Sequence, residues 1–304
     1  EQFIHFRDLP VFGEEISAYP AIMILRKNLT GEKFDFLKVS DLEFESLTER
    51  VETLGKKVSQ EELGSEEWTF LSDEEKSIRQ KMRENGEPVK KAIGEPLAGV
   101  KTGLNDVYIV DEEDVENIID EEREKELFRP FVKGEELKRY KTPEPSKLLL
   151  FPYEKEDGEF VPIELEDYPG VKEYLEDNKD ALKSRYDIKN SSALWYELRA
   201  CDYYESFDGE KITYPDISKK ANFTIDEGTF IDMTGFILNS SDRFYLSQLN
   251  SKLVEWYIAQ ECAKARGGYL RLKTQYIKDV PLIPESENSD ELREKASNLM
   301  KLKD

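Results

Sequence analysis

The chain has 304 residues, 38% of them apolar and 11% aromatic, which is enough to bury one large core or two modest ones and excludes general disorder despite 36% charged residues. No stretch approaches the roughly 18 apolar residues that a membrane-spanning helix needs, and there is no signal-like start. The net charge of −22 argues against a simple nucleic-acid binder, because phosphate contacts favour a basic face. The excess acid is unevenly spread, however. Residues 41–126 hold 26 acids against 12 bases, whereas residues 127–141 hold five bases against two acids, and residues 211–280 ten bases against eight acids. A single histidine, His5, leaves little room for a His-containing triad, a His-rich zinc site or a His general base, and it reads most simply as a surface or strand-edge residue. Two cysteines, Cys201 and Cys262, make no disulfide framework, so a reducing, cytoplasmic setting is expected.

In chain order, Ala21-Ile22-Met23-Ile24-Leu25 predicts a buried strand and Phe34-Asp35-Phe36-Leu37-Lys38-Val39 a strand with one wet face; the Asn28–Glu32 break between them suggests a hairpin. From Ser40 to about Gly94 the pattern turns helical. Asp41 is placed to cap a helix running through Glu49 and Arg50. Ser72 and Glu75 have capping-box spacing ahead of a run without Gly or Pro as far as Asn85, with Ile78 and Met82 on one face. Val107–Val110 predicts a strand, and an acidic helix with Val115, Ile118 and Ile119 on its apolar side follows. Leu148–Phe151 predicts a buried strand, Tyr168–Tyr186 a helix, and Lys211–Tyr214 and Thr229–Asp232 strands. A long helix is expected from Ser240 to about Arg266, with Gly267-Gly268 as its C-terminal cap. Tyr269–Leu272 resumes as a strand, and a last helix starts near Ser289. Irregular strands with scattered helices point to an α+β fold, a mixed sheet with packed helices, rather than a doubly wound sheet.

Catalytic signatures are mostly missing. The sequence has no glycine-rich dinucleotide or phosphate loop of the usual spacing. It also lacks the Asn-Pro-Pro-Tyr type of motif with which amino-group DNA methyltransferases hold a flipped base, and any Phe-x-Gly-x-Gly cofactor motif. Pro215-Asp216 is not followed by the acid-x-Lys that a metal-dependent nuclease would need to gather carboxylates around its ion. No metal site is expected.

An ordered set of segments nevertheless resembles a known family. Gly99-Val100-Lys101-Thr102-Gly103-Leu104-Asn105-Asp106-Val107-Tyr108 is similar to the opening of the C-terminal specificity (target-recognition) domain of TaqI-like adenine-specific DNA methyltransferases, a domain also found in single-chain type IIG restriction–modification enzymes. Phe128–Tyr140, Leu149–Pro152, Trp195–Leu198, Lys211–Ser218, Leu249–Val254, Gly267–Leu272 and Val280–Pro284 continue the resemblance over roughly residues 96–285. No single segment is specific; their order is. Residues 1–30 look like the last strands of the family's methyltransferase core. The resemblance implies four parts: 1–40 closing a truncated core, 41–95 a charged helical connector, 96–285 the recognition domain and 286–304 a helical tail. It implies double-stranded DNA and a core in the same parent chain as partners. The core would bind S-adenosylmethionine, no cofactor would bind here, and no membrane would be involved. The core would take the adenine out of the helix, because its amino group is unreachable inside the stack. This part would read base edges, chiefly in the major groove.

Polar groups beside glycine turns are the candidate readers. Lys101, Thr102 and Asn105 stand in a Gly-flanked loop, where Asn105 could pair with an adenine edge or only bond its own turn. Lys133, Lys138, Arg139 and Lys141 form a basic run, and Lys211, Lys219 and Lys220 flank a strand; these are phosphate candidates, with a solvated face as the plain alternative. Lys264, Arg266, Tyr269, Arg271 and Lys273 crowd around Gly267-Gly268, and Arg266 and Arg271 are the first choices for base readout, since arginine reads guanine bidentately. Trp195, Phe244, Trp256 and Tyr257 read as core. A rival reading is an acidic interaction module that mimics DNA and makes no base contacts.

Overall fold

A computed structural model describes every residue except 8, 14, 17, 28–32, 64–67, 69, 200 and 304, and at Glu62 and Arg266 it describes the backbone alone. The chain divides into two compact units: Glu1–Lys81 with Lys264–Tyr269, and Met82–Ala263 with Leu270–Asp304. The α+β expectation holds: several small sheets alternate with short helices. Among the described residues, no helix is long and apolar enough to cross a membrane.

The first unit is a four-stranded sheet of β1 (Gln2–His5), β2 (Ala21–Ile24), β3 (Lys33–Lys38) and β4 (Lys56–Ser59) in the order β2-β1-β3-β4. Ile4, Phe6, Leu37 and Val39 make its core with Val51 of helix α1 (Leu47–Leu54). Two expectations fail on topology. β2 and β3 are not neighbours, because β1 lies between them, parallel to β3; the proposed turn residues 28–32 lie outside the described residues. β2 is exposed throughout, since it sits at the sheet edge. Ser46, not Asp41, caps α1 by accepting the Glu49 N–H. Asp41 instead receives two hydrogen bonds from the Arg50 guanidinium, at 2.7 and 3.2 Å, which with the Ser40 hydroxyl pull its carboxyl down to about 2. Helix α2 (Asp73–Asn85) begins as expected. Ser72 accepts the Glu75 N–H at 3.2 Å, and the Glu75 carboxylate accepts the Ser72 N–H at 2.7 Å. Met82 on this helix is buried, but Ile78 is exposed.

The second unit holds two apolar cores with a sheet between them. That sheet comprises β5 (Leu97–Ala98), β9 (Glu210–Pro215), β11 (Thr224–Glu227) and β13 (Gly235–Leu238), in the order β11-β9-β13-β5. Successive residues of a strand point to opposite faces. Ile212, Tyr214, Ile225, Phe236 and Leu238 therefore enter one core, while Ile237 enters the other. A second sheet, of β6 (Ile109–Val110), β7 (Phe128–Val132), β8 (Lys147–Leu150) and β12 (Phe230–Ile231), runs β12-β7-β8-β6 and lines the other core with Phe131, Leu149 and Phe230. The strand predicted at Val107–Val110 begins instead as a one-turn helix, α3 (Asn105–Tyr108).

Both long predicted helices are broken. Tyr168–Tyr186 becomes α4 (Pro169–Asp177) and α5 (Lys179–Ser184), parted at Asn178. The stretch from Ser240 becomes α6 (Arg243–Leu249) and α7 (Lys252–Glu261). Asn250 causes this second break. Its side chain accepts the Phe223 N–H at 3.1 Å and donates to the Phe223 carbonyl at 2.9 Å, and Ser251 then caps α7. Gly267 and Gly268 are not the helix cap. They turn, both with positive φ, into β14 (Tyr269–Arg271), and helix α8 (Ser289–Lys301) closes the chain. Phe244 and Tyr257 are buried, and Trp195 and Trp256 pack partly buried against the cores, as read.

Candidate nucleic-acid interface

Four segments that are distant in sequence meet at one turn, Asp232-Met233-Thr234-Gly235, between β12 and β13. One Asp232 carboxylate oxygen accepts the Thr234 N–H at 3.0 Å, the Thr234 hydroxyl at 2.5 Å and the Gly134 N–H at 3.1 Å. The Val100 N–H donates to the Ile231 carbonyl at 2.8 Å and the Gly99 N–H to the Gly235 carbonyl at 2.9 Å. The Asp216 N–H donates to the Thr234 carbonyl at 2.7 Å, and the Asp216 carbonyl accepts the Leu272 N–H at 2.6 Å. Two glycines allow this crowding. A Cβ on Gly99 would lie 2.0 Å from the Asp232 carbonyl oxygen, and one on Gly134 would lie 2.0 Å from that of Thr234. The turn thus holds the segments that carry Lys101, Lys133, Lys219, Arg271 and Lys273.

Just beyond it, strand β10 (Ile217–Ser218) pairs antiparallel with β14, Ile217 opposite Arg271 and Ser218 opposite Leu270. Burial alternates along both. Asp216, Leu270 and Leu272 point inward, while Ile217, Lys219 and Arg271 are exposed and Lys273 is half-exposed. The pairing sets Ile217 beside Arg271; Lys219 follows one position beyond the end of β10 and Lys273 two positions beyond the end of β14. The Lys273 ammonium lies 2.6 Å from the carboxylate of the buried Asp216 and 5.6 Å from the centre of the Phe236 ring, so its charge is drawn toward that carboxylate. Lys220 is exposed at the end of the same turn.

The other candidates are placed as follows. Lys101 is exposed. Thr102 is buried, so it is a loop-locking residue rather than a contact: its hydroxyl donates to the Asn105 side-chain oxygen at 2.5 Å and accepts the Leu104 N–H at 3.2 Å. Asn105 is exposed with that oxygen already engaged. Lys133 is exposed, and Lys138, also exposed, donates to the Glu135 carbonyl at 2.6 Å. Arg139 is half-exposed, bonded to the Asn250 carbonyl and 3.7 Å from Glu255; Lys141 pairs with Glu144. Asn222 donates to the Leu137 carbonyl at 2.9 Å and the Ala221 N–H to Glu255 at 3.1 Å, so this basic run adjoins the turn of Lys219 and Lys220. Lys264 and Tyr269 are exposed in the first unit, and the Arg266 side chain lies outside what is described.

Lys211 requires a correction. Its side chain and that of Asp226, opposite it in the sheet, are each only 1% exposed, and the ammonium lies 2.7 Å from the carboxylate and 2.8 Å from the Phe207 carbonyl. Burial lowers its pKa, against the pull of Asp226. No phosphate can reach it while β9 and β11 stay paired.

Arg185 is a structural residue that composition and motifs do not reveal. It is buried, and it donates to the carbonyls of Leu182, Thr102, Trp195 and Glu197 at 2.8 to 3.0 Å, fastening the Gly103 loop to two other segments. Because all four partners are backbone, no side-chain motif could have pointed to it. The Asp232 turn had a readable signal, since Asp-x-Thr-Gly is a turn-forming sequence.

Fold and turn together define an α+β module in which separate loops are gathered at one turn. Residues 129–282 match the TaqI-like C-terminal specificity domain, and the chain belongs to that family. It is 24% identical over 296 residues to the type II methyltransferase M.BstVI of Geobacillus stearothermophilus, covering 89% of this chain and 50% of that protein. It is 22% identical over 294 residues to M.PaeR7I of Pseudomonas aeruginosa, covering 91% and 49%. The chain therefore spans about half the length of these curated relatives. Among solved structures, the fold is similar to the type IIL restriction–modification enzyme MmeI, solved in complex with DNA, at a TM-score of 0.58 with 13% identity over 97% of this chain and 37% of that one. It is also similar to the type IIG restriction endonuclease BpuSI, at a TM-score of 0.51 with 12% identity over 97% and 38%.

Proposed function

We propose that this chain recognises a short sequence in double-stranded DNA and presents an adenine within it to a methyltransferase core in the same polypeptide. The observation that carries this reading is the pairing of β10 with β14, where Arg271 is exposed and Lys219 and Lys273 follow just beyond the strand ends, on a net acidic protein. Arg271 is the base reader, by bidentate bonding to a guanine edge. Lys101, Lys133, Lys138, Lys219 and Lys220 contact phosphates, which fix register without carrying sequence information. Residues 96–285 are the recognition domain and residues 1–40 close the core.

S-adenosylmethionine belongs to that core. The open groove lined by Glu166, Pro169, Lys172, Glu173, Glu176 and Asp177 holds four carboxylates and no aromatic slot, so it fits neither the carboxylate nor the adenine of that cofactor.

The test is selection of duplexes from a random library by the full-length protein at about 50 mM salt, where phosphate-gripping proteins bind well. Enrichment of one motif is expected. Arg271→Ala should relax it at one position, while Lys219→Ala should weaken all sequences alike and lower the salt slope by about one. Binding with no enrichment, or none at all, would refute the reading and favour the acidic interaction module.

A further inference from the structure

Two large apolar side chains stand exposed on or beside the basic face. Met233 is 56% exposed at the tip of the Asp232–Gly235 turn, and Ile217 is 44% exposed opposite Arg271. Single exposed apolar residues are ordinary, but the backbones that carry these two are tied together. β9 and β13 pair with Pro215 opposite Gly235, and the Asp216 N–H to Thr234 carbonyl bond carries that ladder on, so the backbone of Ile217 runs beside the Met233 turn. The turn itself is held from the other side by the Asp232 N–H, which donates to the Val132 carbonyl at 3.1 Å. The carboxylates next to them in sequence are turned to other tasks: Asp232 accepts three donors, and Asp216 binds Lys273.

An apolar pair on segments that also carry Arg271 and Lys219 gains nothing from phosphate oxygens. It matches a surface that is anionic around an apolar spot. In the major groove the base edges offer one such spot, the C5-methyl of thymine. Resting on the recognition reading above, we infer that Met233 and Ile217 pack on a thymine methyl and fix a T·A pair in the recognised sequence. The contact is dispersion and desolvation alone, without hydrogen bonds, so its contribution is that of about one buried methyl or somewhat more.

The experiment uses the full-length protein and the duplex it enriches. Each thymine is replaced in turn by deoxyuridine, which removes only the methyl, and affinity is read by fluorescence anisotropy. At one position the replacement should weaken the wild type about three- to tenfold. Met233→Ala should weaken the thymine duplex by a similar factor and be insensitive to the same replacement; Ile217→Ala should reduce that sensitivity. Both side chains are exposed, so thermal unfolding should be unchanged. Three results overturn the inference. The first is an enriched site without a T·A pair. The second is no methyl effect at any thymine. The third is a Met233→Ala loss that multiplies with the uridine loss, which would mark Met233 as a wedge between base steps. Absence of any enriched sequence would instead defeat the recognition reading itself.

Discussion

Replacing Lys211 with Met removes an ammonium that lies 2.7 Å from the Asp226 carboxylate and donates to the Phe207 carbonyl at 2.8 Å, in a place where both side chains are 1% exposed. The methionine fills nearly the same volume, so the main effect is electrostatic: Asp226 is left charged, dry and without its counter-ion. Breaking one side of a buried pair costs about 3–5 kcal/mol, a large part of the 5–15 kcal/mol by which domains are stable. For a unit of this size the melting temperature should fall by about 6–20 °C. Replacing both partners, Lys211→Met with Asp226→Leu, should restore most of that loss, because exchanging a buried pair for apolar groups of similar volume is often neutral. Urea unfolding of the wild type, both single variants and the double variant makes the cycle. The salt slope of duplex binding, measured on the same proteins, should not move with Lys211. A Lys211→Met protein as stable as the wild type, with a slope lower by about one, would show that the lysine grips phosphate and that the buried-pair reasoning is wrong.

Three further outcomes are expected. Gly134→Ala places a methyl where the Thr234 carbonyl oxygen stands 2.0 Å away; a loss of about 1–3 kcal/mol is expected, and amide exchange should rise at Gly134 and Asp232 ahead of the rest of the unit. Arg185→Lys keeps the charge but not the fork that serves four carbonyls. The carbonyls of Thr102 and Trp195 would be left without another donor, and each costs about 1 kcal/mol or more, so the variant should lose about 1–3 kcal/mol in urea unfolding; an unchanged stability would contradict the clamp. Asp41, held at about 2 by its hydrogen bonds from Arg50, contributes stability that is present above the ordinary carboxylate value of 3.8 and is lost as pH falls through 2. Thermal melts between pH 5 and pH 2 should therefore decline less steeply for Asp41→Asn than for the wild type.

What could be read in the sequence follows the range of the interactions concerned. The capping box of Ser72 and Glu75, the α2 run to Asn85 and the start of α8 near Ser289 depend on neighbours three or four residues apart. The strand expected at Leu148–Phe151 is found one position earlier, at Lys147–Leu150, and is written in the continuous apolar run Leu148–Phe151. The family, too, was legible, because its motifs are ordered along the chain even where each is weak. Among the candidate contacts, Arg271 was legible as outward-facing, because alternation along β14 is itself a local property. The break at Asn250 was not legible, for it is made by Phe223. Nor was the order β2-β1-β3, which an apolar pattern leaves open.

The sequence by itself determined the α+β class, most of the element positions and the membership in a specificity-domain family. Only the tertiary structure decided which charges face outward. Lys211 and Lys219 have the same chemistry eight positions apart. One is drawn into the sheet by Asp226 across a strand pair, and the other is exposed just beyond a strand end. Their difference lies in which strand comes alongside, and pairing between distant strands is set by the packing of the whole core rather than by any local pattern.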